Sequence, residues 1–320
     1  MSIRFRNEQL RQVCTPLPGK QAYDNIRPIN VPGRFDGQTL LDSLLQMHPH
    51  VSRDLWMEWF DDGHIRDEDS PASPDEVVRG GSQYTHLFPD TIEPDVNADI
   101  EIIWEDEALI AIHKPAPIPV HPSGRFNRNT ITSLLEKVYP PSDLRLVHRL
   151  DANTTGVMLI ARTRDAATNL RNQFDTGQIS KRYLARCSGS LGDDSVVCEE
   201  PIARQRGQAG SRRVDSEGLP AKTIFNSLAR FSDGTELCEA LPKTGRTHQI
   251  RIHLWSMGIP VLGDPAYRKS GEIAETQTLG IEDPPMCLHA SRLSFKHPST
   301  SEPLTIETAN PDWAICPIDD

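Results

Sequence analysis

The sequence predicts an α+β fold with a mixed, predominantly antiparallel sheet in its larger part. Candidate strands outnumber candidate helices from Ile102 onward, and several are joined by hairpin-like links. The run Val157 to Ala161 has the length and composition of a fully buried strand. Leu237 to Leu241 is a second candidate strand, and Leu228 to Phe231 is expected to end its hairpin partner. The buried strand and the hairpin strands can belong to one large sheet.

Three helices are predicted among these strands. The first, near Asn129 to Tyr139, has apolar residues on one face and stops before a proline. The second covers Asp165 to Asp175 and ends near a glycine. The third is expected to be capped by Thr247 and to end at Met257, before another glycine. His248 and Arg251 would then share a face, because residues three apart are neighbours on a helix.

The N-terminal third predicts a separate, smaller module. Gln38 to Asp61 contains two short amphipathic segments, and an extended stretch leads toward Phe88. The predicted organisation is an irregular arm over residues 1–33, the small module over 34–92, a large domain over 93–310 and an irregular tail over 311–320.

Composition indicates a soluble globular protein. The 320 residues are 37% apolar and 25% charged, and no apolar run approaches the roughly 18 residues of a membrane span. The first residues lack the apolar core of a secretory leader, so we expect a cytoplasmic protein. The cysteines contain no CxxC pair and are expected to be buried thiols, with no metal site: Cys14, Cys187, Cys198, Cys238, Cys287 and Cys316.

Charge is unevenly distributed along the chain. The net charge of −11 argues at first against an anionic partner. The segment from Arg34 to Asp90 holds four basic residues against twelve acids, however, so much of the acidity lies early in the chain. The later basic residues suggest a phosphate-binding track, with ordinary solvated surface charges as the alternative: Arg162, Arg164, Arg171, Lys181, Arg182, Arg186, Arg204, Arg206, Arg212 and Arg213.

The segment LRLVHRLDANTTGVMLIAR, from Leu144 to Arg162, carries the strongest chemical signal. It places one carboxylate, Asp151, after a cationic lead and before a buried strand. Gly156 suits a tight loop entering that strand, so Asp151 is expected on a loop at the edge of a rigid sheet. The structural alternative is that Asp151 caps the turn or pairs with Arg149.

The HRLD sequence, the T-x-G turn and the apolar strand together resemble the catalytic motif of the RluA-type pseudouridine synthases. The resemblance extends from about Ile102 to Ile306. Its other segments, in order, are IHKPAPIPVHPSGR, ISKRYLARCSG, GLPAKT, KTGRTHQIRIHLWSMGIPVLGDPAY and LHASRLSFKHP. Several ordered motifs are more specific than one tetrapeptide.

The resemblance implies an enzyme that isomerises uridine to pseudouridine within RNA, without a cofactor or metal. It makes Asp151 the catalytic aspartate and Arg251 the basic residue that pairs with it. Tyr183 would stack on the flipped base, although by itself it also fits a strand aromatic with a wet hydroxyl. The predicted RNA-binding residues are Arg149, which would fill the space left by the flipped base, together with His148, Arg182, Arg246 and His248. A structural, hydrogen-bonded role remains the alternative for His148.

Other functions and targets stay open at this point. A hydrolase with paired carboxylates would need a second catalytic acid, and none lies in a comparable motif. A catalytically inactive RNA-binding or ribosome-assembly factor is the other alternative. Residues 34–92 weakly resemble an alpha-L RNA-binding module, but their acidity favours packing or partner binding. The expected substrate is ribosomal or transfer RNA, and the expected state is a monomer.

Overall fold

The computed structural model describes residues 2–140, 144–205, 207, 210–274 and 278–315. The chain forms two compact units, one of residues 19–93 and one of residues 1–18 together with 94–320. The N-terminal boundary therefore differs from the expected arm over 1–33, because its first part belongs to the larger unit and the remainder to the smaller.

The helices and strands are numbered in chain order. The helices are α1 (Ile3–Val13), α2 (Leu40–Met47), α3 (Arg53–Asp61), α4 (Ile131–Leu135), α5 (Arg164–Asp175) and α6 (Gln249–Ser256). The strands are β1 (Tyr23–Asn30), β2 (Ile65–Asp67), β3 (Ser70–Pro71), β4 (Gln83–Thr91), β5 (Glu101–Glu105), β6 (Leu109–Lys114), β7 (Arg145–Leu146), β8 (Thr155–Ala161), β9 (Ser180–Cys187), β10 (Ser195–Cys198), β11 (Thr223–Arg230), β12 (Glu236–Pro242), β13 (Leu288–Lys296) and β14 (Pro303–Glu307).

The smaller unit combines α2 and α3 with a four-stranded antiparallel sheet in the order β1-β4-β2-β3. Thr39 and Ser52 cap the two helices by accepting backbone N–H groups in the first turn. Leu44 and Trp56 bury their side chains in the unit's own core. The two predicted helices and the extended stretch toward Phe88 are thus present.

The larger unit is built on a ten-stranded sheet. Eight strands follow the order β10-β11-β12-β9-β13-β8-β6-β5, while β14 pairs with β13 and β7 with β8. The pair β8–β13 is parallel, and the other pairs are antiparallel. This sheet confirms the predicted α+β class, and the predicted hairpin corresponds to β11 and β12.

One of the three predicted helices matches closely, one is shorter than predicted, and one begins differently. Helix α5 starts after Thr163, whose side chain accepts the Ala166 N–H, while α4 is shorter than expected. The N-cap of α6 is His248, in the left-handed region at φ 57°, and not Thr247. Because α6 is buried on nearly all sides, packing fixes its start more strongly than side-chain capping does.

The expected irregular arm contains a helix, and the described part of the tail, up to residue 315, contacts the core. Helix α1 packs Leu10 into the main core, and its Asn7 exchanges hydrogen bonds with the Ile102 backbone. In the tail, Ala314 is buried against Leu184. These segments lack strong periodicity of their own, and tertiary contacts order them. Cys187 and Cys238 are buried free thiols, and Cys316 lies outside the described residues.

Gly156 lets two strands approach each other where the HRLD loop enters the sheet. Its φ is +115°, and an added Cβ would lie 2.2 Å from the carbonyl oxygen of Ala290 on β13. Only glycine fits this contact. The start of β8, and hence the preceding loop, is therefore fixed against β13.

Lys114, at the end of β6, anchors the same loop from inside the protein. Its fully buried ammonium donates to the carbonyls of Pro115 (2.8 Å), Ala152 (3.0 Å) and Thr154 (2.9 Å). Two of these carbonyls belong to Ala152 and Thr154, which follow Asp151 in the loop. Burial lowers the pKa of Lys114 to about 7, against the opposing charge of Asp151.

His148 anchors the HRLD segment to β8. Its Nε2 accepts the backbone N–H of Leu159 at 2.9 Å, and its ring stacks on Phe174. Burial lowers the pKa of His148 to about 3, with the charge of Lys181 adding to the effect. The ring is neutral at physiological pH and already uses its acceptor nitrogen.

No helix in the described parts of the chain is long and apolar enough to cross a membrane.

Replacing Lys114 with Met should destabilise the protein by roughly 2–4 kcal/mol, because three carbonyl acceptors lose their donor. Denaturant unfolding of both proteins measures this. Lys137→Met, at an exposed lysine, is the control and should change stability by less than about 0.5 kcal/mol. Equal stabilities for Lys114→Met and the wild type would contradict the anchoring role.

His148 should make the fold sensitive to acid. Its folded pKa lies below the usual 6.5, so the unfolded chain binds the proton more readily, and stability falls as pH drops from about 6.5 toward about 3. The contribution is at most about 1.4 kcal/mol per pH unit. Thermal unfolding between pH 7 and 4 should show a smaller decline for His148→Gln than for the wild type. Parallel pH profiles would refute this assignment.

Candidate active site

A cavity of about 490 Å³ opens beside the HRLD loop, within the usual size range of ligand sites. Residues from four regions line it: the HRLD segment, the end of α5, strand β9, and the β12–α6 connection with the start of α6. The lining includes Asp151, Tyr183 and Arg251, which are the predicted catalytic residues, together with Arg149. The fold thus brings together groups that are far apart in sequence.

Arg251 joins two carboxylates at the base of this cavity. Its Nη1 donates to Asp151 Oδ2 at 2.8 Å, while Nε and Nη2 bind both oxygens of Asp264 at 2.7 and 2.8 Å. Asp264 also accepts the backbone N–H groups of Ala266 and Tyr267. The side chains of Arg251 and Asp264 are 2% and 1% exposed, whereas that of Asp151 is 28% exposed. Asp151 alone of the two carboxylates retains access to the cavity.

Asp151 is held in its ionised form. Burial acts to raise its pKa, but His248, Arg251 and Arg149 together lower the pKa below the ordinary value. Burial also lowers the pKa of His248, so that ring is neutral near pH 7. The permanent positive charge in contact with Asp151 is therefore the Arg251 guanidinium.

A hydrogen-bonded chain orients His248. Tyr267 Oη accepts the backbone N–H of Arg212 at 2.9 Å and lies 2.9 Å from His248 Nδ1. Since burial raises the pKa of Tyr267 to about 12, its hydroxyl keeps its proton and donates it to Nδ1. This arrangement assigns the imidazole proton to Nε2, which lies 3.7 Å from Asp151 Oδ1.

Tyr183 contributes a half-buried ring to the cavity. It lies on β9 opposite Ala240 of β12 and Ala290 of β13, whose small side chains leave room beside the ring. Burial and the charge of Asp151 raise the pKa of Tyr183. Its hydroxyl is therefore neutral and available as a proton donor.

The predicted RNA-binding residues separate into two groups. Arg149, Arg246 and His248 line the cavity, as does His148, although its hydrogen bond to Leu159 ties it to the sheet. Arg182 points to the opposite face of β9 and forms an ion pair with Glu239. Because neighbouring residues on a strand alternate in direction, its place at the cavity is taken by Lys181.

The proposed track of basic residues is not continuous. Arg162 pairs with Glu105, and Arg186 pairs with Asp233. Arg171 donates to the Leu146 carbonyl, and Arg206 lies outside the described residues. Several arginines of the predicted phosphate-binding track are therefore already bound to other groups of the protein.

Three important residues were not singled out from the sequence: Lys114, Asp264 and Tyr267. All three fall inside quoted motif segments, HKP and GDPAY. The position of Lys114 at the end of an apolar strand could have indicated a buried lysine. The partners of Asp264 and Tyr267, by contrast, depend on the tertiary fold. Within the described ranges, no group of three or more His, Cys, Asp or Glu side chains is placed to hold a metal ion.

Comparisons with known proteins point to one family. Residues 108–256 match the family model described as RNA pseudouridylate synthase. Ribosomal large subunit pseudouridine synthase D of Nitrosomonas europaea is 33% identical, with 98% of this chain and 94% of the relative covered. The mitochondrial tRNA pseudouridine(32) synthase of Saccharomyces cerevisiae is 31% identical over 73% of this chain and 51% of its own.

Solved structures point to the same family. Human RNA Pseudouridylate Synthase Domain Containing 1 superposes with a TM-score of 0.54 at 25% identity, covering 66% of this chain and 84% of that one. The full-length relative, the matched motif region and the shared fold agree, and the chain belongs to the RNA pseudouridine synthase family.

Proposed function

We propose that the protein isomerises uridines of large-subunit ribosomal RNA, with Asp151 as the catalytic carboxylate. The observation that carries the proposal is the ionised Asp151, held by buried Arg251 at a cavity that also contains Tyr183. Ribosomal RNA is favoured because the relative of that specificity matches over nearly both whole chains, including the smaller unit. The relative that acts on transfer RNA is covered over about half its length.

The reaction balances without any external group donor. The N1–C1′ bond of uridine breaks, a C5–C1′ bond forms, the proton on C5 leaves, and N1 gains a proton. Attack of a carboxylate on C1′ and removal of a sugar proton both need that carboxylate ionised. The contact with Arg251 meets this need, since it stabilises the charged form of Asp151 at the point of reaction.

Tyr183 and Arg149 serve the base and the RNA in this proposal. The Tyr183 ring offers a stacking surface to the flipped uracil, and its neutral hydroxyl can exchange a proton near C5. Arg149 is exposed at the cavity. Its guanidinium would occupy the space that the base leaves, offsetting part of the roughly few kcal/mol that unstacking costs.

His248 and Tyr267 act as positioning residues. With its proton on Nε2, His248 presents a neutral N–H toward Asp151 Oδ1, while Arg251 holds Oδ2. The Arg251 hydrogen bond orients the carboxylate, and the 3.7 Å approach of His248 adds a weaker electrostatic contact at the other oxygen. Tyr267 determines the tautomer of His248 and so acts through it.

The two alternative functions receive less support. A paired-carboxylate hydrolase would use the acid held opposite Asp151, but both oxygens of Asp264 are bound and its side chain is 1% exposed. An inactive binding factor would not need the Asp151–Arg251–Asp264 arrangement. We further place the enzyme in the cytoplasm as a monomer without cofactor or metal, since one chain supplies Asp151, Tyr183 and Arg251.

Asp151→Asn should lower the rate of pseudouridine formation by roughly 10²–10⁴-fold or more, because the amide can neither attack nor accept a proton as a carboxylate does. The measurement is tritium release from 5-tritiated uridine in transcribed large-subunit ribosomal RNA, with a transfer RNA pool assayed in parallel. Asp165→Asn, at an exposed aspartate of α5, is the control and should retain full activity.

The tritium-release assay distinguishes the possible substrates and reactions. Release from ribosomal RNA that depends on Asp151 supports the proposal, and release from transfer RNA alone would move the substrate to that class. Free uracil as the product would indicate a hydrolase. No release from either RNA by the wild-type protein would reject the proposed function.

Tyr267→Phe should reduce kcat about tenfold with little change in KM, because it disturbs the orientation of His248 and not a contact with RNA. The ¹⁵N chemical shifts of the His248 ring should show loss of the single Nε2–H tautomer. Tyr139→Phe is the matched control, since that buried tyrosine bonds Glu105 and does not line the cavity. An unchanged ring spectrum in Tyr267→Phe would argue against the tautomer assignment.

A further inference from the structure

Three basic side chains form a cation cluster, defined here as Lys181, Lys243 and Arg246. Lys181 lies on β9, two residues before Tyr183, so both side chains point to the same face. Lys243 and Arg246 lie in the connection between β12 and α6. All three line the cavity that contains Asp151.

The connection that carries the cluster is held rigidly. Lys181 Nζ donates to the Thr244 carbonyl at 2.8 Å, and Arg246 Nε donates to the Pro220 carbonyl at 3.0 Å. Gln249 Oε1 accepts both the Thr244 hydroxyl and the Arg246 N–H. The side chains of Lys181 and Arg246 are therefore placed by the fold, and Lys243 lies on the connection that they help to hold.

The cluster has no anionic partner among the residues that the structure describes. Elsewhere in the larger unit Arg182, Arg186 and Lys222 each form an ion pair with a carboxylate. Asp175 lines the same cavity but forms no ion pair with a member of the cluster.

The like charges in the cluster oppose one another. Burial, together with the charges of Arg246 and Lys243, lowers the pKa of Lys181 to about 8. Holding these cations together is unfavourable until an anion binds between them. This electrostatic repulsion is concentrated at one wall of the cavity. An anionic part of the substrate is therefore expected to bind at that wall.

We propose that Lys181, Lys243 and Arg246 bind a backbone phosphate of the RNA next to the uridine that enters the cavity. The inference rests on the proposed function, because it places a polynucleotide in the cavity. Lys181 and Tyr183 are separated along β9 by about 7 Å, a distance that a ribose spans between its base and a phosphate. The site positions the strand and carries no base specificity.

A local phosphate site also explains how a chain of net charge −11 binds RNA. Phosphate affinity depends on the cations that touch the backbone, and distant acids are screened within about 10 Å at moderate salt. Lys181, Lys243 and Arg246, which have no ion-pair partner among the described residues, supply this attraction beside Asp151.

Salt dependence of RNA binding tests the cluster. A short fluorescent oligouridylate is titrated with wild type, Lys243→Gln, Lys181→Gln and Lys137→Gln at several NaCl concentrations. Lys243→Gln should weaken binding about fivefold at low salt and reduce the slope of log K against log salt by roughly 0.7. Lys137→Gln removes one exposed lysine outside the cavity and should leave the slope unchanged.

Several outcomes would overturn the phosphate site. An unchanged salt slope in both Lys243→Gln and Lys181→Gln would refute the site. The Lys243→Gln variant keeps the Lys181–Thr244 hydrogen bond, so a change in its slope cannot be attributed to a disturbed loop. Competition by micromolar UMP would assign the cluster to a free nucleotide instead. If Lys137→Gln reduced the salt slope as much as Lys243→Gln does, the effect would be one of overall charge and not of the cluster.

The same proteins are assayed for tritium release. A wild type that binds oligouridylate with the predicted slope but releases no tritium would refute the proposed function and leave the phosphate site standing. Normal activity with unchanged KM and slope in Lys243→Gln would refute the phosphate site and leave the function standing.

Discussion

The candidate active site depends on the hydrogen bonds that the buried guanidinium of Arg251 makes. The guanidinium binds Asp264 through two nitrogens and Asp151 through the third, so one carboxylate fixes the arginine and the arginine fixes the other. Removing the guanidinium would leave two carboxylates unpaired, at a cost on the order of 3–5 kcal/mol. Lys114 donates hydrogen bonds to the carbonyls of the loop that carries Asp151, and His248 approaches the remaining oxygen of Asp151.

Local pattern was sufficient to predict β8, α5 and the β11–β12 hairpin, because each has a clear period or buried run. The ordered motifs identified Asp151 and its partner Arg251. Sequence could not show that Arg182 turns away toward Glu239, since strand direction relative to the cavity is set by the sheet. Helix α1 was missed for a related reason: its order comes from contacts with residues almost a hundred positions away.

Electrostatics in this molecule works at two ranges. The chain as a whole is acidic, and carboxylates neutralise several of its arginines: Arg182 pairs with Glu239 on the neighbouring strand β12, and Arg186 pairs with Asp233 between β11 and β12. Around Asp151 the balance reverses, because Arg149, Arg251 and the cation cluster face one cavity. Net charge therefore describes solubility and long-range steering, while the pairing of each cation decides where phosphate binds.

The position of β13 has a consequence for how the enzyme is made. Strand β13 lies between β8 and β9 in the sheet, although it is synthesised after both of them and after α6. A chain still emerging from the ribosome already contains HRLD, Tyr183 and Arg251, yet β8 lacks the neighbour that meets Gly156. The segments that carry the candidate site are thus synthesised before the strand that joins β8 to β9, and we expect the site to form only once β13 has inserted.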